Sequence, residues 1–468
     1  MKKKAAYILP VIFGILFCFY YLHLAADNVA YTDYIRLINS YLPDVYNPAK
    51  FFVSDILTRV PITYLGRMIN VELFGYNTLF DMALGVLSLG AGAAVAAVYA
   101  KQEKKVSYLW FLLILFVYYS LNKWEMLTNG TGWVCFLSIS GFYCHYLVLD
   151  HAIKTHHSHV KDRVILLVLP SLLTLFTAGP YCGSYSAILT LIYLVMLGDD
   201  FRKTHKINHL YAAYLLAVLL PLGLYLWSNS SAVYVHRGAV AEGSLPQTFI
   251  SDPLFFVRFI LKSLASSVLG MAQIMDLKNA GSWLGQDRTI CILGLAVMCM
   301  YLYALFLTVR YKIYKKTVFP LFLMLNGGLN HLLIVSARWI FMNDSYGMSP
   351  RYMLQYQMGI LGILFTFAIV WGICHTKKAG TSRGRMFDLW AVGLGTALIL
   401  MGNVYTTKAE LQTAPYRKSY LEISRNIALN YKTATDEELE TYLHSSADAV
   451  RSAMRILEEN HLNLFSDQ

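Results

Sequence analysis

The stretch 252–274, DPLFFVRFILKSLASSVLGMAQI, is apolar enough to cross a lipid bilayer, yet it carries Arg258 and Lys262 four residues apart in its middle. On a helix that spacing puts both cations on one face. Two such charges at the centre of a bilayer cost about 2.5–3.5 kcal/mol each. A helix lying at the interface avoids that cost and still buries its apolar side. The choice matters for everything that follows in the chain. A crossing reverses the side of every later segment, whereas an interfacial helix leaves its two flanks on the same side.

The surrounding sequence is that of a multi-pass membrane protein. Of the 468 residues, 57% are hydrophobic and only 14% charged, against about a quarter charged in soluble domains. The 34 tyrosines suit a protein with many membrane interfaces, where amphipathic rings settle. The net charge of +11 therefore reads as a topology signal. Its basic residues fall in short clusters between apolar runs, and no segment resembles a nucleic-acid module. The seven cysteines lie in or beside apolar segments, with no metal-type spacing and no disulfide framework.

A crossing needs about 20 apolar residues. Eleven runs are predicted spans: 6–26, 79–100, 107–122, 132–149, 163–180, 184–198, 209–228, 289–309, 318–341, 352–375 and 386–405. The first follows MKKK, is too long for a signal-peptide core and has no small-residue cleavage site, so it reads as a retained signal-anchor. Beyond MKKK, the clusters KQEKK (101–105), KTHHSHVKDR (154–163), FRKTHK (201–206), RYKIYKK (310–316) and HTKKAGTSRGR (375–385) complete the basic set. Together these six hold about half of the 39 lysines and arginines. All six share one side if 252–274 is interfacial, and the positive-inside rule makes that side cytoplasmic.

The expected architecture is an all-α integral membrane protein of about eleven transmembrane helices, with its N-terminus inside and its C-terminus outside. The membrane domain is 1–405, with an amphipathic first outer loop at 27–78 and a second large outer region at 229–288. A helical extracytoplasmic tail occupies 406–468, where Thr435 before Asp-Glu-Glu predicts a capped helix start.

Several short motifs recur along this frame: DNVAYTDYIRL (27–37), DILTRVPITYLGRM (55–68), NKWEMLTNGTGWVCFL (122–137), SPRYML (349–354) and AMRILEENHLNLF (453–465). Their order and shared side resemble bacterial polytopic membrane glycosyltransferases of the GT-C class, which includes protein O-mannosyltransferases and lipid-A aminoarabinose transferases. The resemblance implies transfer of a sugar from a polyprenyl-phosphate donor to a glycan, lipid or protein acceptor at the outer face of the bacterial cytoplasmic membrane. It implies an acidic general base in the first outer loop, a role that falls to Asp33, with Asp27 as the alternative and Glu125 as a second carboxylate. It also implies cations for the departing lipid phosphate, for which Arg351, Arg59 and Arg36 are the candidates. No cofactor follows with certainty, and metal dependence stays open. One departure is that Thr32-Asp33 stands where many members carry two adjacent acids.

Plainer readings compete. Asp33 and Arg36 form an i, i+3 pair on any helix, Arg351-Tyr352 suits an interface anchor, and Arg59 and Arg67 are placed to snorkel from an amphipathic helix. Glu125 has Lys123 as a nearby surface partner, and the histidines of 151–159 suit a solvated basic loop. NGGLN (326–330) suits close helix packing. Two other functions fit the same topology. A polysaccharide ligase or polymerase using a lipid-linked glycan would draw on the large 229–288 region. A lipid-linked-sugar transporter or flippase would place ionisable residues at mid-membrane and show internal repeats. Few charges fall deep in the predicted spans, which favours the enzyme.

Overall fold

Within lipid, backbone polar groups must be satisfied internally, and a helix does this within one segment. A computed structural model describes residues 2–42, 44–52, 61–230, 238–376 and 383–466, and every regular element among them is helical. The chain begins with α1 (Lys2–Ala25), α2 (Asp33–Tyr41) and α3 (Pro61–Phe74). Then come α4 (Thr78–Gln102), the short pair α5 (Tyr108–Tyr119) and α6 (Trp124–Thr128), and α7 (Gly132–Lys154). Next are α8 (Val160–Leu172), α9 (Cys182–Thr204), α10 (His209–Asn229) and α11 (Leu245–Ser251). The bent pair α12 (Pro253–Ser266) and α13 (Met271–Asn279) leads to α14 (Asp287–Arg310), α15 (Phe319–Arg338) and α16 (Met353–Thr376). The last elements are α17 (Arg383–Leu429), α18 (Asp436–Leu443) and α19 (Ala447–Glu459).

Among the described residues, nine helices are long and apolar enough to cross a membrane, or ten if α12 and α13 count as one span. Two of the eleven predicted spans, 107–122 and 163–180, are shorter or interrupted helices. α5 stops after 12 residues, about 18 Å of helix. Its end is fixed by Lys123, whose ammonium donates to the carbonyls of Tyr118 and Ser120 at 2.6 and 2.9 Å, satisfying acceptors the helix leaves open. α8 runs into a π-helical turn at Leu173–Thr177.

The stretch that opened the question bends by 105° between α12 and α13. Arg258 meets Asp252 at 3.5 Å and Asp344 at 2.9 Å, while Lys262 meets Asp287 at 3.3 Å and Asp344 at 2.7 Å. Asp252 begins the segment and Asp287 follows it, so the chain enters and leaves at one end of the bundle. The Lys262 side chain is only 2% exposed and depends on its two aspartates.

The opposite end gathers the basic loops. Tyr108 donates to the Ala6 carbonyl at 3.1 Å. Asp150 pairs with Lys154 at 2.6 Å and accepts from the Val318 amide at 2.6 Å, which starts α15. Arg310 pairs with Asp388 at 3.2 Å, and the rings of His157 and Tyr211 meet at 5.2 Å. His157 is buried, whereas His151, His156 and His159 are exposed, as a solvated loop requires. Where NGGLN lies, α15 meets α16 so closely that a β-carbon at Gly327 would collide with the Gly359 backbone.

α17 does not stop near residue 405. Its 47 residues span about 70 Å, more than twice the ~30 Å of a hydrocarbon core. The extension joins α18, α19 and α2 in a second apolar core, built on Tyr34, Ile35 and Ile38 from the first loop and on Leu443, Val450, Met454 and Leu457 from the tail. Each fully buried side chain of this kind contributes about 1.5–3 kcal/mol. α18 starts with the predicted cap: Thr435 Oγ1 accepts from the Glu438 amide at 3.2 Å. Arg67 does not snorkel. It is buried, with its guanidinium 4.5 Å from the centre of the Tyr41 ring. Arg59 lies outside the described residues.

Candidate functional site

Asp33 is the first residue of α2. Thr32 precedes it with φ 48°, a conformation uncommon for a β-branched residue. The Thr32 amide donates to the Leu443 carbonyl at 2.8 Å, so the turn into α2 is held by the tail. One residue on, Tyr34 is buried and donates to Asp81 Oδ2 of α4 at 2.9 Å. Burial and the Asp81 charge push the Tyr34 phenol well above its usual range, which keeps it a neutral donor. Asp33 is thus fixed from both sides of the chain.

The second component comes from α6. Trp124 and Glu125 open that helix, and Asn129 follows one turn after Glu125. Asn129 Nδ2 donates to Asp33 Oδ2 at 3.2 Å, and its Oδ1 accepts from the Thr131 amide and hydroxyl at 3.0 and 2.8 Å. Those two bonds orient the amide toward the carboxylate. Gly130 permits the approach, because a β-carbon there would coincide with the Tyr34 phenol.

The third component is Arg351, just before α16. Its Nε donates to Glu125 Oε1 in a close contact, and its Nη1 lies 3.5 Å from Asp33 Oδ2. Arg36 approaches the other oxygen of Asp33, also at 3.5 Å. Residues 33, 36, 125 and 351 therefore form one charged cluster of two carboxylates and two guanidinium groups.

This cluster is the wall between two chambers. The larger, of about 960 Å³, lies between α2, α6, the projecting part of α17 and the tail, with Trp124, Thr413, Arg417, Tyr420 and His444 on its surface. The smaller, of about 540 Å³, is bounded by Cys135, Tyr181, Met271, Arg338, Asn343, Tyr346 and Tyr352. Among the described residues, only Asp33, Glu125, Asn129 and Arg351 line both. Asp27 lines neither and faces Arg425 at 3.8 Å. The expected Glu125–Lys123 surface pair is absent among the described contacts, since Lys123 is buried on helix carbonyls and Glu125 turns to Arg351.

Arg417 supports the larger chamber. It donates to both oxygens of the buried Glu410, at 2.6 and 2.9 Å, and lies 3.2 Å from the centre of the Trp124 ring. Tyr21 donates to the same Glu410 at 2.7 Å. The group ties α1, α6 and α17 together and holds the indole in place.

Sequence reasoning brought Asp33, Arg36, Glu125 and Arg351 forward but missed Asn129 and Arg417. Asn129 had a local signal, its i+4 spacing from Glu125 on a short helix. Arg417 had none, because the length of α17 hides its proximity to Trp124. No protein-family model matches the chain, and neither a curated protein nor a solved structure matches it.

Proposed function

We propose that the protein is a membrane glycosyltransferase of the GT-C type. In this reading it moves a sugar from a polyprenyl-phosphate donor to an acceptor on the outer face of the cytoplasmic membrane. The observation that carries the proposal is the pair of chambers that meet, among the described residues, at Asp33, Glu125, Asn129 and Arg351. Group transfer between two substrates needs two compartments and one shared point at which a proton is taken up.

At that point Asp33 is the general base. It accepts the proton of an acceptor hydroxyl as the hydroxyl oxygen attacks the anomeric carbon. The bond from that carbon to the donor's phosphate oxygen breaks, and its electron pair leaves with the lipid phosphate. Glu125 is held in close contact with Arg351, whereas the contacts of Asp33 are 3.2 Å or longer. The oxygens of Asp33 are therefore the freer to accept a hydroxyl proton. Arg351 orients both carboxylates and keeps them from repelling each other. The larger chamber, bordered by the polar tail, suits the acceptor. The gathering of the described basic-loop contacts at the opposite end supports placing this end outside.

The test is sugar transfer from a labelled polyprenyl-phosphate donor in membranes. Asp33→Asn should lower the rate by about 10²–10⁴-fold, the usual worth of general-base catalysis. A folded Asp33→Asn protein working at the wild-type rate would overturn the assignment.

A further inference from the structure

Two arginines face the smaller chamber, and they differ in what already occupies them. Arg351 bridges Glu125 and Asp33. Arg338, at the end of α15, donates through Nε to the Tyr352 hydroxyl at 2.8 Å. Among the described residues no carboxylate pairs with Arg338, and neither of its Nη groups has a hydrogen-bond acceptor. Arg351 bridges Asp33 and Glu125 at the shared wall, and Arg36 approaches Asp33 from the larger chamber, so the two cations match the two carboxylates. Arg338 is then the cation left unmatched on this surface.

An unmatched guanidinium in a partly enclosed chamber favours an anion. The geometry also says which kind. Both Nη groups are free to donate in a fork, and the Tyr352 oxygen accepts from Nε, leaving its own proton to donate. A fork of two N–H groups beside one O–H suits a tetrahedral oxyanion better than a point charge. Asn343 and Ser349 line the same chamber and add polar groups at its edge. The volume of about 540 Å³ exceeds what a bare phosphate fills and falls in the range of small-molecule pockets.

We infer that the smaller chamber is a phosphoester-binding site in which Arg338 holds the phosphate, while Arg351 serves the carboxylates. The inference rests on the transferase reading for its place in the reaction, where the phosphate so held is the leaving group. It rests on charge and geometry alone for the ligand class. A phosphate bound by Arg351 instead would sit beside Glu125 and Asp33, whose negative charges oppose it.

The experiment uses the full chain in detergent and measures thermal stabilisation by farnesyl phosphate, farnesol and inorganic phosphate. Wild type should be stabilised by farnesyl phosphate and not by farnesol. Arg338→Gln keeps a donor for Tyr352 but loses the charge, and its affinity should fall tenfold or more at an unchanged ligand-free Tm. Arg338→Lys keeps the charge without the fork and should be weakened several-fold. If the Gln variant fails to fold, the Lys variant decides, and wild-type affinity from it overturns the inference. An equal response to inorganic phosphate keeps the site and makes a free phosphoanion its ligand, whereas a response to farnesyl phosphate alone makes the ligand lipid-borne. Equal stabilisation by farnesol, or wild-type affinity in Arg338→Gln, overturns it. The transferase reading fails separately. Arg338-dependent phosphate binding without any sugar transfer counts against that reading only. Sugar transfer with a wild-type KM in Arg338→Gln counts against this inference only.

Discussion

The amide of Thr32 donates to the carbonyl of Leu443 across 2.8 Å, joining the first loop to the C-terminal tail one residue before Asp33. More than four hundred residues separate the two in sequence, yet the position of the carboxylate depends on both. The tail is thus part of the site's framework, and damage to it should reach the chemistry.

Leu443 is fully buried in the core shared by tail and first loop. Leu443→Ala should cost about 2–5 kcal/mol of stability and also lower kcat at temperatures where the protein remains folded. Leu89→Ala, at an equally buried position in the membrane core, is the control. It should lower the Tm by a similar amount and leave kcat largely intact. Equal kcat losses from the two variants would remove the special role of the tail.

At Gly130 any β-carbon coincides with the Tyr34 phenol. Gly130→Ala should push Tyr34 off Asp81, lower the Tm and reduce transfer, because α2 is anchored by that bond. Tyr34→Phe, which loses only the hydroxyl, should be milder on both measures. A Gly130→Ala protein with unaltered stability and rate would mean that Tyr34 does not set the position of α2.

Arg351 and Glu125 form the closest pair at the shared wall. In a double-mutant cycle of Arg351→Met and Glu125→Gln, thermal unfolding should return a coupling on the order of 1 kcal/mol, modest because both groups are partly exposed. The double variant should be more stable than Arg351→Met alone, which leaves two carboxylates facing each other. Strict additivity would show that the pair does not act as a unit.

The tail carries two carboxylates held below the usual glutamate range near 4.5. In Glu438 the cause is hydrogen bonding from Thr435, and in Glu458 it is hydrogen bonding from Lys432 and Tyr431. In each case the unfolded chain binds a proton more readily than the folded one, so stability rises with pH through this window. Their contribution is complete above about pH 4.5 and fades as the pH falls through the lower folded values. Proteolysis of the tail should therefore quicken below pH 4.5. Combining Glu438→Ala with Glu458→Ala should flatten that dependence, and a slope unchanged in the double variant would assign it to other groups.

Much of the helical frame was legible because a bilayer imposes a length and a composition on whatever crosses it. The two predicted spans whose helices are short or interrupted show the limit of that signal. Residues 107–122 carry no charged side chain, and nothing in their composition reveals that the Lys123 ammonium folds back onto the Tyr118 carbonyl. At the site, residue type marked Asp33, Glu125 and Arg351, but only folding brings three distant segments to one wall. The pairing of Glu125 was misread because its sequence neighbour Lys123 is nearer in the chain than in chemistry. Arg338 is legible only as a charge near the end of a span. What distinguishes it is the lack of a carboxylate partner among the described residues, and only folding makes that visible.

α17 has a further consequence as a mechanical element. It packs against α1 and α16 and carries Thr413, Arg417 and Tyr420 on the wall of the larger chamber. Pro415 lies among these chamber residues and removes one backbone hydrogen bond there. From that point to Leu429 the helix is about 21 Å long, so a tilt of about 5° at the proline moves its tip by roughly 2 Å. α17 is in effect a lever with its fulcrum at the chamber wall, converting small changes of angle into changes of chamber width. A thinner or thicker lipid film tilts helices to match its own depth, and this rod would carry that tilt to the turn that holds Asp33.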